Sequence, residues 1–283
     1  MSHLSIAGLQ LDLGIADNLS AIEQEIKQVK KRFPWIQMVV LPELCIYGGN
    51  MQMAVQLPGE VENCLREAAK ENGIWLIPGS IHERRGEDIF NTAPVINPDG
   101  DVIARYRKQY PFYPYEKNVT GSDNFVVFEV PGAGKVGLVI CYDIWFPEIV
   151  RQLTWMGAEA IIVPTLTNTI DRDVELAISQ ANAATNQVYF FGLNSAGRLG
   201  HGKSIVVGPD GTIIHQASAG REIITVEFDF DHVRRVRERG LNGLGQTLKS
   251  FRDANICYPV YQKDAGAGAY AELGKLEVPG KET

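Results

Sequence analysis

The period of the apolar positions changes repeatedly along this chain. Residues 4–11, LSIAGLQL, read as a strand, and the next apolar positions, Leu19, Ile22, Ile26, Val29 and Phe33, recur every three or four residues. That spacing places them on one face of a helix. Asn18 or Ser20 stands where a cap belongs, with Glu23 three residues after Ser20 as in a capping box. MVVLPE (38–43) is a short buried strand closed by a proline, and a helix near 60–71 follows it. IWLIPGSIHE (74–83) reads as a strand, with further strands around the turn Asn97-Pro98-Asp99-Gly100. FVVFEV (125–130) and KVGLVICYD (135–143) flank the turn Pro131-Gly132-Ala133-Gly134, and Pro147 suits the first turn of a helix. Then come a strand AIIVPT (160–165), a helix near 171–186 and a strand VYFFGLN (188–194). KSIVVGPDGTIIHQA (203–217) and REIITVEFDF (221–230) read as a hairpin and a neighbouring strand, before a charged helix near 231–239.

Strands and helices that keep trading places predict an α/β fold with helices covering sheet faces. No linker rich in Pro, Gly or Ser interrupts the chain before about residue 262, so residues 1–262 are expected to form one domain. Residues 263–283 are poor in large apolar side chains and read as a tail, loose or docked on a partner subunit. With 45% hydrophobic and 22% charged residues, the 283-residue chain can bury a sizeable core. A net charge of −7 provides no field to attract nucleic acid or anionic lipid. The N-terminus alternates apolar and polar residues, unlike a secretory signal, and no apolar stretch approaches the roughly 20 residues of a membrane span. A cytoplasmic protein without membrane or nucleic-acid partners is the expectation.

Cys45, Cys64, Cys141 and Cys257 are widely scattered, and reduced thiols are expected in a chain too long to need disulfide staples. The five histidines form no HExxH or Cys/His cluster with metal-ligand spacing, so neither a metal nor another cofactor is expected. Cys141 stands in the apolar run VGLVICYDIWFPE. A cysteine is by default a small buried hydrophobe. This one ends an apolar strand a few residues before a helix, where α/β sheets build their sites. As a nucleophile it would need help, since a thiol with a pKa of roughly 8.5 is mostly protonated at neutral pH. A carboxylate base and an ammonium to meet a developing oxyanion would serve, and Glu43 and Lys108 both stand at strand ends. Taken singly, each also reads as a solvated loop charge.

Together, LPE around Glu43, RYRK ending at Lys108 and GLVICYD-x-x-FPE around Cys141 resemble the nitrilase superfamily of carbon–nitrogen hydrolases over about residues 4–230. The resemblance implies a four-layer α-β-β-α sandwich, two mixed sheets face to face with helices outside. It implies a Glu43-Lys108-Cys141 triad, assisted by Glu116 within RKQYPFYPYE, and an oxyanion held by Lys108 and the Tyr142 backbone N–H. The cysteine would attack an amide carbonyl, release ammonia or an amine, and pass through a thioester.

Cys141-Tyr142-Asp143 resembles amidase members more than the Cys-Trp-Glu of nitrilases. Trp145 occupies the place of an arginine in carbamoylases and some amidases with carboxylate-bearing substrates. The expected substrate is a neutral carboxamide of small or medium size. Phe112, Trp145 and Thr165 are its expected wall, with Thr167, Asn168 and Tyr47 as further candidates. A nitrilase or an N-carbamoyl hydrolase using the same triad, and a catalytically silent protein of the same fold, are the alternatives. Family members commonly associate through helices near the nucleophile, which implies a homodimer or larger assembly.

Overall fold

The computed structural model describes residues 2–262, 266–274 and 276. The chain first lays down six strands of one sheet: β1 (His3–Gln10), β2 (Met38–Val40), β3 (Trp75–Ile77), β4 (Ile81–Arg85), β5 (Asp88–Ile96) and β6 (Val102–Arg107). It then builds a second sheet from β7 (Val126–Val130), β8 (Gly134–Leu138), β9 (Ala160–Thr165), β10 (Tyr189–Asn194), β11 (Ile205–Val207) and β12 (Ile213–Gln216). Finally it returns to the first: β13 (Glu222–Asp229) pairs antiparallel with the whole of β1, His3 opposite Asp229. The orders are β13-β1-β2-β3-β5-β4, with β6 also on β5, and β12-β11-β10-β9-β8-β7. Parallel pairing at β1-β2-β3 and β8-β9-β10 and antiparallel pairing elsewhere make both sheets mixed.

The alternation of side chains across a strand assigns the layers. Leu4, Ile6, Met38 and Val40 point into a core shared with Phe128, Leu138 and Phe191 of the second sheet. Leu9, Val39 and Leu41 point the other way, onto Ile22, Ile26 and Val29 of α1 (Leu19–Arg32) and Leu65 and Ala69 of α2 (Glu60–Asn72). Burying each of those aliphatic side chains contributes about 1.5–3 kcal/mol. The outer face of the second sheet is covered by α3 (Pro147–Trp155) and α4 (Arg172–Asn186), through Ile149, Val150, Leu153 and Ala183. The result is a four-layer α-β-β-α sandwich. Gly8 marks how closely its sheets approach: a Cβ there would lie 2.3 Å from the Phe191 ring. The helices α5 (Phe230–Arg239) and α6 (Thr247–Asp253) follow β13.

The structure departs from the sequence reading at several joints. Asn18 precedes α1 but does not cap it; its amide donates to the carbonyls of Gly14, Ala16 and Cys45, and Asp17 accepts from Leu19 N–H instead. The stretch 74–83 is two strands, because Pro78 and Gly79 turn the chain between them, Gly79 at φ +74°. REIITVEFDF does not continue the hairpin's sheet but crosses to the other one. KVGLVICYD leaves the strand at Leu138, three residues before the cysteine, and Cys141–Trp145 is a 3-10 turn. Most of the expected tail, residues 263–265, 275 and 277–283, lies outside the described residues, and Gly268–Glu272 is a single 3-10 turn. Among the described residues no helix is long and apolar enough to cross a membrane.

Candidate active site

Glu43 is aimed by the loop that leaves β2. Leu41 N–H still bonds the Ile77 carbonyl across the sheet at 2.9 Å, and three residues on Leu44 adopts φ +49° with its N–H on Ser80 Oγ at 3.1 Å. Gly79 permits this approach, since a Cβ there would overlap the Pro42 carbonyl oxygen. Lys108, directly after β6, is pinned on both sides of its peptide, its N–H on the Asn91 carbonyl and its carbonyl accepting from Ser122 N–H. These anchors turn both side chains inward, where Glu43 is 3% and Lys108 1% exposed.

There the Lys108 Nζ donates to Glu43 Oε1 at 2.8 Å and to Glu116 Oε2 at 2.6 Å. Asn91 Nδ2 donates to Glu43 Oε1 and Glu116 Oε1, both at 2.8 Å, and Phe112 N–H adds a third donor to Glu116 at 2.7 Å. Burial opposes the lysine charge, but Glu116 and Glu43 outweigh it and hold the Lys108 pKa well above the ordinary lysine value. The two acids are driven apart. Burial raises Glu116, yet Lys108 and the two further donors, Phe112 N–H and Asn91, bring it below the usual carboxylate range. Burial wins at Glu43, helped by the charge of Glu116, and leaves its pKa raised. Two carboxylates pushed in opposite directions are suited to different tasks, Glu116 to that of a fixed charge and Glu43 to that of a proton carrier.

Cys141 opens the 3-10 turn with φ +46°, a left-handed conformation that costs a residue with a side chain free energy and is found where the fold over-determines a site. Its sulfur lies 3.8 Å from Thr167 Oγ1 and 3.9 Å from Glu175 Oε1. Burial, then the charge of Glu43, pushes the thiol pKa well above its ordinary value against the pull of Lys108. Burial thus favours the thiol over the thiolate, and a role as nucleophile would need a base to take its proton.

Asp143, to which the sequence reading assigned no role, fastens this turn to the Lys108 loop. Its Oδ1 accepts from Gln109 and Tyr110 N–H at 3.2 and 2.9 Å; its Oδ2 accepts from Tyr106 Oη and Ile140 N–H at 2.7 and 3.2 Å. Burial pushes its pKa up to about 6, against Lys108 and these donors. An acid in the middle of the apolar run VGLVICYDIW was the signal available, because a buried carboxylate must be satisfied by donors.

A cavity of about 270 Å³ unites these groups, lined by Glu43, Lys108, Glu116, Cys141, Tyr142 and Phe112, with Leu166, Thr167, Asn168 and Glu175 opposite. Two expected wall residues are elsewhere. Trp145 packs one turn along from Tyr142, ring centroids 5.9 Å apart, and lies behind that ring, outside the lining. Thr165 is buried with its hydroxyl on the Val163 carbonyl; the wall is made by the loop after β9, not by the strand's last residue. Tyr47 lines a separate small cavity with His82. Arg172 and Glu175, on the first turn of α4, also went unread.

The family model described as carbon-nitrogen hydrolase matches residues 5–238. The chain is 31% identical over 244 residues to the omega-amidase NIT2 of Xenopus tropicalis, covering 79% of this chain and 87% of that protein. It is 30% identical over 247 residues to a formamidase of Bacillus thuringiensis (strain Al Hakam), covering 80% and 74% respectively. A mutant of the amidase from Nesterenkonia sp. AN1, from the nitrilase superfamily and solved in complex with butyramide, matches with a TM-score of 0.74 at 25% identity. That match covers 84% of this chain and 95% of the other.

Proposed function

The chain belongs to the carbon-nitrogen hydrolase family and is an amide-hydrolysing enzyme of the nitrilase superfamily, and from that premise we propose that it converts a small uncharged carboxamide to carboxylate and ammonia through a thioester on Cys141. One observation carries this reading: a thiol, an acid with a raised pKa and a doubly paired ammonium share one cavity.

As the sulfur attacks the amide carbonyl carbon, Glu43 takes the thiol proton and the carbonyl electrons move to oxygen. Lys108 and Tyr142 N–H meet that oxyanion; the N–H belongs to the first turn, whose donors have no acceptor within the helix. Collapse of the intermediate breaks the C–N bond, and Glu43 returns its proton to the leaving nitrogen. Water then gives a proton to Glu43 and attacks the thioester, the C–S bond breaks, and the proton returns to sulfur. One carboxylate serves both halves, while Glu116 keeps Lys108 in place and charged.

A 270 Å³ cavity suits a small substrate. A substrate carboxylate near the reacting carbon would meet Glu43, Glu116 and Glu175, with Lys108 already paired twice. The formamidase and the butyramide-binding amidase agree with a small, uncharged amide.

The test is ammonia release from acetamide, propionamide and butyramide, from the matching nitriles, from an N-carbamoyl amine and from succinic monoamide. We expect the neutral amides to exceed the nitriles and the acidic monoamide in kcat/KM by at least about 10-fold. Nitrile turnover without amide turnover, carbon dioxide release from the carbamoyl compound alone, or preference for the acidic monoamide would overturn the reading.

A further inference from the structure

The proposed mechanism leaves one acid beside the nucleophile without a task. Glu175 faces the cavity from α4 and is 2% exposed. Its Oε2 is held by Arg172 Nη1 at 2.8 Å, and Arg172 is itself fixed by the carbonyls of Gly202 and Lys203 at 3.2 and 2.9 Å. The carboxylate therefore cannot swing away. Its Oε1 accepts from Thr167 Oγ1 at 3.0 Å and looks at the Cys141 sulfur from 3.9 Å.

An acyl carbon bonded to that sulfur puts its own substituent next to Oε1. A methyl or methylene there would cover the side of Oε1 that Thr167 leaves open and give a buried carboxylate no second donor on that oxygen, which is unfavourable. An O–H or N–H in the same place would give it a charge-assisted bond. We infer that Glu175, oriented by Arg172 and Thr167, is a specificity-determining residue that selects uncharged carboxamides bearing a hydrogen-bond donor on the carbon next to the reacting carbonyl, as in α-hydroxy amides. This rests on the amide-hydrolase reading of the same cavity and narrows it. Burial raises the Glu175 pKa while Arg172 and Thr167 lower it, and a further donor from the substrate would favour its charged form.

The test compares kcat/KM for glycolamide and propionamide, which differ by a hydroxyl in place of a methyl. Wild type is expected to prefer glycolamide by roughly 10- to 100-fold. Glu175→Leu should reverse that preference. Because this variant leaves Arg172 buried without its partner, Arg172→Met/Glu175→Leu, which removes the pair together, is measured beside it and should show the same reversal. Equal treatment of the two amides by wild type, or an equal loss on both in the variants, overturns the inference while ammonia release that depends on Cys141 leaves the amidase reading standing. If no amide yields Cys141-dependent ammonia, both fail.

Discussion

Cys141→Ala is expected to lose ammonia release from every amide that the wild type hydrolyses, by about 10⁴-fold or more, and to fold as its parent does. The substitution removes the sulfur and little else. The side chain is buried, Thr167 Oγ1 and Glu175 Oε1 stand 3.8 and 3.9 Å from its sulfur, and these two keep their own hydrogen bond when it is gone. Alanine meets the same cost as cysteine at φ +46°, so the strain of the turn is unchanged, whereas glycine would relieve it. The check is an ammonia assay beside a thermal melt. A folded variant that still releases ammonia at the parental rate would remove the nucleophile from the account.

Lys108→Met should damage both chemistry and fold. Its ammonium is buried between Glu43 and Glu116, and its removal leaves two like charges about Asn91 with no cation between them. Breaking a buried ion pair from one side costs about 3–5 kcal/mol. Losing the oxyanion partner costs about 10²–10³-fold in kcat. The pH dependence carries a sign. In wild type Glu116 has a lowered pKa and contributes stability above its unfolded pKa, which is lost as pH falls through the folded value. In the variant both carboxylates are buried without Lys108, their folded pKa values rise above the unfolded ones, and protonation favours the folded state. The stability deficit should therefore shrink as pH is lowered from 7 towards 5, and Lys108→Met/Glu116→Gln should recover part of it at pH 7. Urea unfolding across that range measures this. A deficit that grows on acidification, or none at pH 7, would contradict the charge assignment.

Where the apolar period was clear, the elements were legible. The strands of β1, β9 and β10 and the helices α1, α2 and α4 lie within a few residues of their periodic segments. Glu43, Lys108 and Cys141 were legible because each sits in a short motif near a strand's end, Glu116 followed only from the family resemblance of RKQYPFYPYE, and the structure brings these four to one cavity. The 3-10 turn at the cysteine was hidden because VGLVICYDIW is apolar almost throughout and has no period to show where a strand stops. The role of Asp143 was hidden because its partners are mostly backbone N–H groups from residues 109, 110 and 140, which no sequence pattern records. Arg172 and Glu175 are three apart on a helix, a spacing that ordinarily marks an exposed surface pair; only packing shows that this pair is buried beside a sulfur. The exchange of β13 into the first sheet was likewise invisible, since REIITVEFDF alternates equally well for either partner sheet.

In the proposed mechanism an acyl group rests on Cys141 between the departure of ammonia and the arrival of water. Hydroxylamine added to the reaction competes with water for that intermediate. An amide and an ester of the same acid would form the same thioester, so the ratio of hydroxamate to free acid should be identical for both at each hydroxylamine concentration. A ratio that changes with the leaving group would mean that no common acyl-enzyme exists, and would contradict the mechanism.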